Sequence, residues 1–201
     1  TVKSALTEGQ LAELDVLADA IAADVLPPKP APVEVKVSAE SGMDGVYEVE
    51  NAAFNKFSYG CEILTTRVDG KDYGCVINTA GQITSSDPKK LTISSIKANY
   101  TCDMVAKAGI INLSILTEDA PYDIFKHFGF QSGRDVDKFA AWPDDLRTVN
   151  GVRYIGKHTN AVLSARVIDS RDCGTQMLYI AEVVEAHVLS DKPSCTYSYY
   201  H

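Results

Sequence analysis

From residue 61 to residue 189 the chain is a succession of short apolar runs broken by turn-forming residues. This texture restricts it to a mainly β architecture with a few added helices. Strands are expected over 61–68, 73–79, 83–85, 91–96, 110–116, 161–169 and 176–189, with Asp69-Gly70-Lys71-Asp72 as a tight hairpin turn between the first two. Helices are expected at Ala52-Phe54-Phe57, over 101–108 and over 121–129. Strands and helices do not alternate, and no glycine-rich dinucleotide loop is present, which argues against a Rossmann domain. The pattern suits an antiparallel barrel with helices attached and carries no internal repeat.

The first 49 residues have a different character. Thr7 is placed to cap a helix over 6–26, in which Leu11, Leu14, Leu17, Ala18, Ile21 and Val25 share one face. Pro27-Pro28-Lys29-Pro30-Ala31-Pro32 ends it and favours extended polyproline geometry. A short β extension over 33–49, with strands at 33–37 and 46–49, then leads into the main domain, 50–201. The apolar stripe of the helix requires a surface to dock on: the following domain, a second copy, or an upstream domain. The chain begins at Thr1 and stops after Tyr199-Tyr200-His201, so it reads as a piece of something longer.

The net charge of −8 and pI near 4.9 disfavour nucleic acid and anionic membranes as partners. No apolar run approaches the roughly 18 residues that span a bilayer, and the start lacks a signal-peptide pattern. The five cysteines include no CxxC pair, so no metal site is expected from them. They read as reduced, mostly buried thiols of a cytoplasmic protein. GxSxG, HExxH, Walker and EF-hand patterns are all absent.

Three segments have the composition of a binding site. Residues 78–88, which include Asn78, Thr79, Gln82, Ile83, Thr84 and Ser85, are dense in small hydroxyl and amide groups. Such groups bond phosphate and flavin heteroatoms, and they also serve as ordinary turn formers. Lys97-Ala98-Asn99-Tyr100-Thr101 places a cation and a hydroxyl where a helix begins, an arrangement suited to an anion. The simpler alternative is Thr101 as a cap and Lys97 as a surface charge. Residues 127–139 interleave aromatic, glycine and charged residues. Arg134 and Lys138 stand either beside a bound anion or paired with Asp135 or Asp137, and His127 either handles a proton or bonds structurally.

These segments together resemble the flavin reductase-like, FMN-binding split-barrel family, of the flavoredoxin and high-molecular-weight-rubredoxin flavoprotein type. The resemblance covers about three-quarters of the chain. It rests on Phe54-Asn55-Lys56-Phe57-Ser58-Tyr59-Gly60, Gly74-Cys75-Val76-Ile77-Asn78-Thr79 and Asn99-Tyr100-Thr101, and above all on the run from Phe125-Lys126-His127-Phe128 to Lys138-Phe139. It implies FMN held at the interface of a homodimer. Asn78, Thr79, Gln82, Ile83, Thr84 and Ser85 would line the ring and ribityl chain, and Lys97, Asn99, Tyr100 and Thr101 would hold the phosphate. Ser132, Gly133, Arg134 and Lys138 would close the site, with His127 near the ring. The implied activity is electron transfer from NADH or NADPH through FMN to a rubredoxin, a flavodiiron-type reductase or free flavin. Two other functions remain open: an FMN electron carrier that does not oxidise NAD(P)H, and a flavin-free barrel that binds haem or serves dimerisation.

Overall fold

The computed structural model describes residues 48–200. The expected N-terminal helix, the proline linker and the 33–37 strand lie outside them, as do the first two residues of the expected 46–49 strand. Glu48 and Val49 are exposed and belong to no strand. The residues Asn51–Lys56 form a short 3-10 helix, followed by β1, Glu62–Val68, and β2, Lys71–Ile77. Asp69 and Gly70 join the two strands with φ of 50° and 80°, the pair of left-handed conformations that matches the twist of a two-residue hairpin. Val68 therefore faces Lys71 and the pairing runs unbroken to Glu62 and Ile77.

Next come β3, Ala80–Gln82, β4, Lys90–Ile96, helix α1, Tyr100–Ala108, and β5, Ile110–Leu116. Helix α2 is Tyr122–Gly129, and the long hairpin β6, Thr159–Asp172, and β7, Gln176–Val188, completes the sheet. All seven strands are in one antiparallel sheet of order β2-β1-β5-β6-β7-β4-β3. The outermost strands, β2 and β3, are consecutive in the chain, so residues 78–79 bring the two edges of the sheet together. Thr79 Oγ1 donates to the Ser94 carbonyl at 2.5 Å across that junction. Two register shifts, at Ser164/Ala165 and Val167/Asp169, lie within the β6–β7 pairing, as bulges in strongly bent strands do.

Alternation along β1 divides the core. Leu64 joins Ile93, Ile111, Tyr179 and Ala181 inside the barrel, whereas Ile63 joins Leu116, Phe125, Phe128 and Ile155 beneath α2. The expected strand at 83–85 is not formed, and the short strand falls at 80–82 instead. Thr84 Oγ1 accepts the Lys90 N–H at 2.8 Å and Ile83 N–H donates to the Lys90 carbonyl, which makes 83–89 a hydroxyl-pinned turn. On the opposite side of the sheet, the Asp72 carboxylate is almost fully buried. It accepts from Arg67 at 2.6 Å, from Arg147 at 3.1 Å and from the Arg153 backbone at 3.2 Å, tying 145–153 to the β1–β2 hairpin. Among the described residues no helix is long and apolar enough to cross a membrane.

Candidate functional site

The end of β2, the first turn of α1 and the end of α2 enclose two cavities that meet at Val76, Asn99, Gly129 and Phe130. The larger, of about 580 Å³, is lined mainly by apolar side chains, with Ile77, Ile96, Phe125 and Tyr197 among them and Asn78 as a polar member. Phe130 is 66% exposed and Ile96 49%, so this apolar wall stands open to a flat partner. The smaller cavity, of about 250 Å³, is lined by Asn99, Tyr100, Thr101, Gln131, Ser132 and Gly133, and its surface is predominantly polar.

Helix α1 begins at this polar end. Its cap is Asn99, in extended conformation, whose side chain makes no capping hydrogen bond, although its carbonyl accepts the Cys102 N–H at 2.9 Å. Thr101, expected as the cap, is instead inside the first turn and buried. The N–H groups and positive dipole end of the helix thus face a cavity with hydroxyl lining, a combination suited to an anion. Arg134 lies over the Tyr100 ring at 5.0 Å and donates to Asp103 at 3.0 Å, so its ion pair is with α1 rather than with Asp135 or Asp137. Ser132 Oγ accepts the Arg134 N–H at 3.1 Å and fixes the loop in front of the helix.

Other expected residues either line the site with their polar ends engaged or lie elsewhere. Lys138 lines the smaller cavity, but it is buried and its Nζ donates to the carbonyls of Gly74 at 2.8 Å and Phe128 at 2.7 Å. It pins the 129–138 loop between β2 and α2, and burial pulls its pKa below the ordinary lysine value. Lys97 pairs with Asp172 at 2.5 Å on the β6–β7 hairpin, one residue from the cavity-lining Ala98. Gln82 lines a different cavity, and Ile83, Thr84 and Ser85 line neither of the two described above. His127 also lies elsewhere, beside Trp142 with ring centres 5.2 Å apart. Its Nε2 is 2.6 Å from the Lys138 carbonyl, an attachment that serves the loop.

Cys61, Cys75 and Tyr73 were not among the expected site residues. Cys61 lines the larger cavity and its thiol is pushed up to about 12, chiefly by burial and then by Cys195. Burial raises Cys75, in the smaller cavity, to about 11. Both are therefore neutral wall atoms and not nucleophiles. Tyr73 packs edge-on to Tyr100 at 5.6 Å and backs the polar end. Only strand pairing brings these residues to the site, so composition carried no signal for them.

The site thus joins an open apolar wall to a helix start whose polar surroundings suit an anion, a shape that fits a ring carrying a phosphate tail. Residues 54–201 match the flavin reductase like domain. A high molecular weight rubredoxin of Moorella thermoacetica is 35% identical over 153 residues, which are 76% of this chain and 66% of that protein. The chain therefore spans just under two thirds of that relative. A ferric-chelate reductase (NAD(P)H) of Archaeoglobus fulgidus is 34% identical over 150 residues, 74% of this chain and 87% of that protein. The fold superposes on an FMN-binding protein of Thermus thermophilus with a TM-score of 0.65 at 18% identity, covering 76% of this chain and 89% of that one. The chain belongs to the flavin reductase-like domain family of oxidoreductases.

Proposed function

We propose that the two joined cavities hold FMN and that the chain passes electrons from NADH or NADPH through it to a redox partner. The single observation that carries this reading is the uncapped start of α1, which opens onto a polar cavity continuous with an apolar wall. Asn99, Tyr100, Thr101, Ser132 and Gly133 would hold the phosphate end, with Arg134 and Lys97 supplying positive charge beside it. Asn78 and the apolar wall of Val76, Ile77, Ile96 and Phe130 would hold the ring and keep water from one of its faces.

When bound, FMN supplies the hydride acceptor and two-electron carrier. The chain's own contribution is alignment and electrostatics. Neither neutral cysteine nor the tethered His127 needs to move a proton, and hydride transfer asks none of them to. The name of the Moorella relative supports a rubredoxin as acceptor. A flavodiiron-type reductase or free flavin would be reached by the same chemistry. A homodimer and a cytoplasmic location belong to the same proposal.

The test is anaerobic stopped-flow on the FMN-loaded chain with NADH and, separately, NADPH. Rapid bleaching of the visible flavin band by either is the expected result. A bound flavin that neither nicotinamide reduces would instead identify an electron carrier fed by another protein, and a chain that takes up no FMN would overturn the assignment of the site.

A further inference from the structure

A second cavity lies inside the barrel and shares no lining residue with the candidate flavin site. Its volume is about 430 Å³, and its walls are mostly apolar, including Leu91, Leu113, Ile115, Leu163 and Val183. Gln82, Lys89 and Lys90 also line it from more exposed positions, and Glu62 is the one buried charged residue in its wall. Strand alternation places this residue on the same face as Leu64, inside the barrel, with Ile77 and Ile115 opposite it in register. The position calls for an apolar side chain. Glu62 is only 6% exposed, and its Oε2 has no hydrogen-bond partner. Gly60 makes room for it: a Cβ on that glycine would come within 2.1 Å of Glu62 Oε1.

A buried carboxyl with one oxygen unpartnered, in the wall of an apolar cavity of ligand size, is a polar anchor awaiting its counterpart. The chemistry of the walls narrows that counterpart. An anion would meet the carboxyl itself, and a cation would have to pass Lys89 and Lys90, which belong to the same lining. We infer that the barrel cavity is a second binding site, for an uncharged aromatic compound of one or two rings whose single hydroxyl pairs with the Glu62 carboxyl. The hydroxyl both donates and accepts, so it satisfies the carboxyl, while the rings fill the apolar remainder. The site is independent of the flavin assignment.

The test titrates 2-naphthol and naphthalene by calorimetry into the 201-residue chain, with and without FMN. The expected result is saturable 2-naphthol binding at least tenfold tighter than that of naphthalene, with no change in bound flavin. E62L should erase the preference for the hydroxyl, E62Q should keep most of it, and A186F, which fills the cavity, should abolish binding of both compounds. Equal affinity for the two compounds, unchanged selectivity in E62L, or release of FMN by 2-naphthol would each overturn the proposal. So would the absence of any 2-naphthol binding.

Discussion

Replacing Glu62 by glutamine keeps the shape of the side chain and removes its ionisation, which isolates what a carboxyl inside the barrel does to stability. Burial alone pushes the Glu62 carboxyl up to about 7, from an ordinary value of 4.5. The folded state therefore holds the proton more tightly than the unfolded chain does. Between those two values the native protein binds more protons, so stability falls as pH rises. The contribution is fully present below pH 4.5 and is lost by the time pH passes about 7. A shift of this size corresponds to roughly 3 kcal/mol across the window. Urea unfolding of the wild type and E62Q at a series of pH values reads it directly. The two curves should agree to within about 1 kcal/mol at pH 5 and separate by about 3 kcal/mol at pH 8, with E62Q the more stable. In thermal unfolding that separation is roughly 6–12 °C for a chain of this size. Curves that stay parallel from pH 5 to pH 8 would mean that Glu62 is solvated or partnered in solution and not held buried and unpaired.

Other substitutions separate binding from folding. Arg134→Ala removes an exposed ion pair with Asp103 and should change stability by less than about 0.5 kcal/mol. It should weaken FMN about tenfold in a fluorescence titration while leaving riboflavin, which has no phosphate, unaffected. Lys138→Met strips the donor from two buried carbonyls and should cost about 2–4 kcal/mol in urea unfolding. Asp72→Asn leaves Arg67 and Arg147 facing a neutral amide and should cost on the order of 3 kcal/mol by the same measurement, with FMN affinity retained.

Most of the sheet was legible because strand periodicity and turn chemistry are local. Ile110–Leu116 was anticipated to the residue, and Asp69-Gly70 could be placed because a two-residue hairpin demands left-handed backbone at that point. β3 was misplaced by three residues, since the Thr84 hydroxyl pins a turn over Ile83 that apolar character alone suggested as strand. The site was legible as segments but not as geometry. Asn78 and residues 99–101 and 132–133 do converge on the joined cavities. The partners of the cations could not be read, because Asp103 reaches Arg134 only after α1 and the 129–138 loop have packed. Lys138 looks like any surface lysine in sequence. Its role comes from two carbonyls, Gly74 and Phe128, that tertiary structure brings to its end. Glu62 was passed over for the same reason, as one acidic residue among 27 until the barrel enclosed it.

The most direct test of the central claim is a crystal structure of the chain grown with FMN, read for where the flavin lies. The ring should lie against Val76 and Phe130 and the phosphate at the start of α1, within hydrogen-bond reach of the Thr101 and Ser132 region. Flavin density in the Glu62 cavity, or a phosphate bound away from α1, would contradict it.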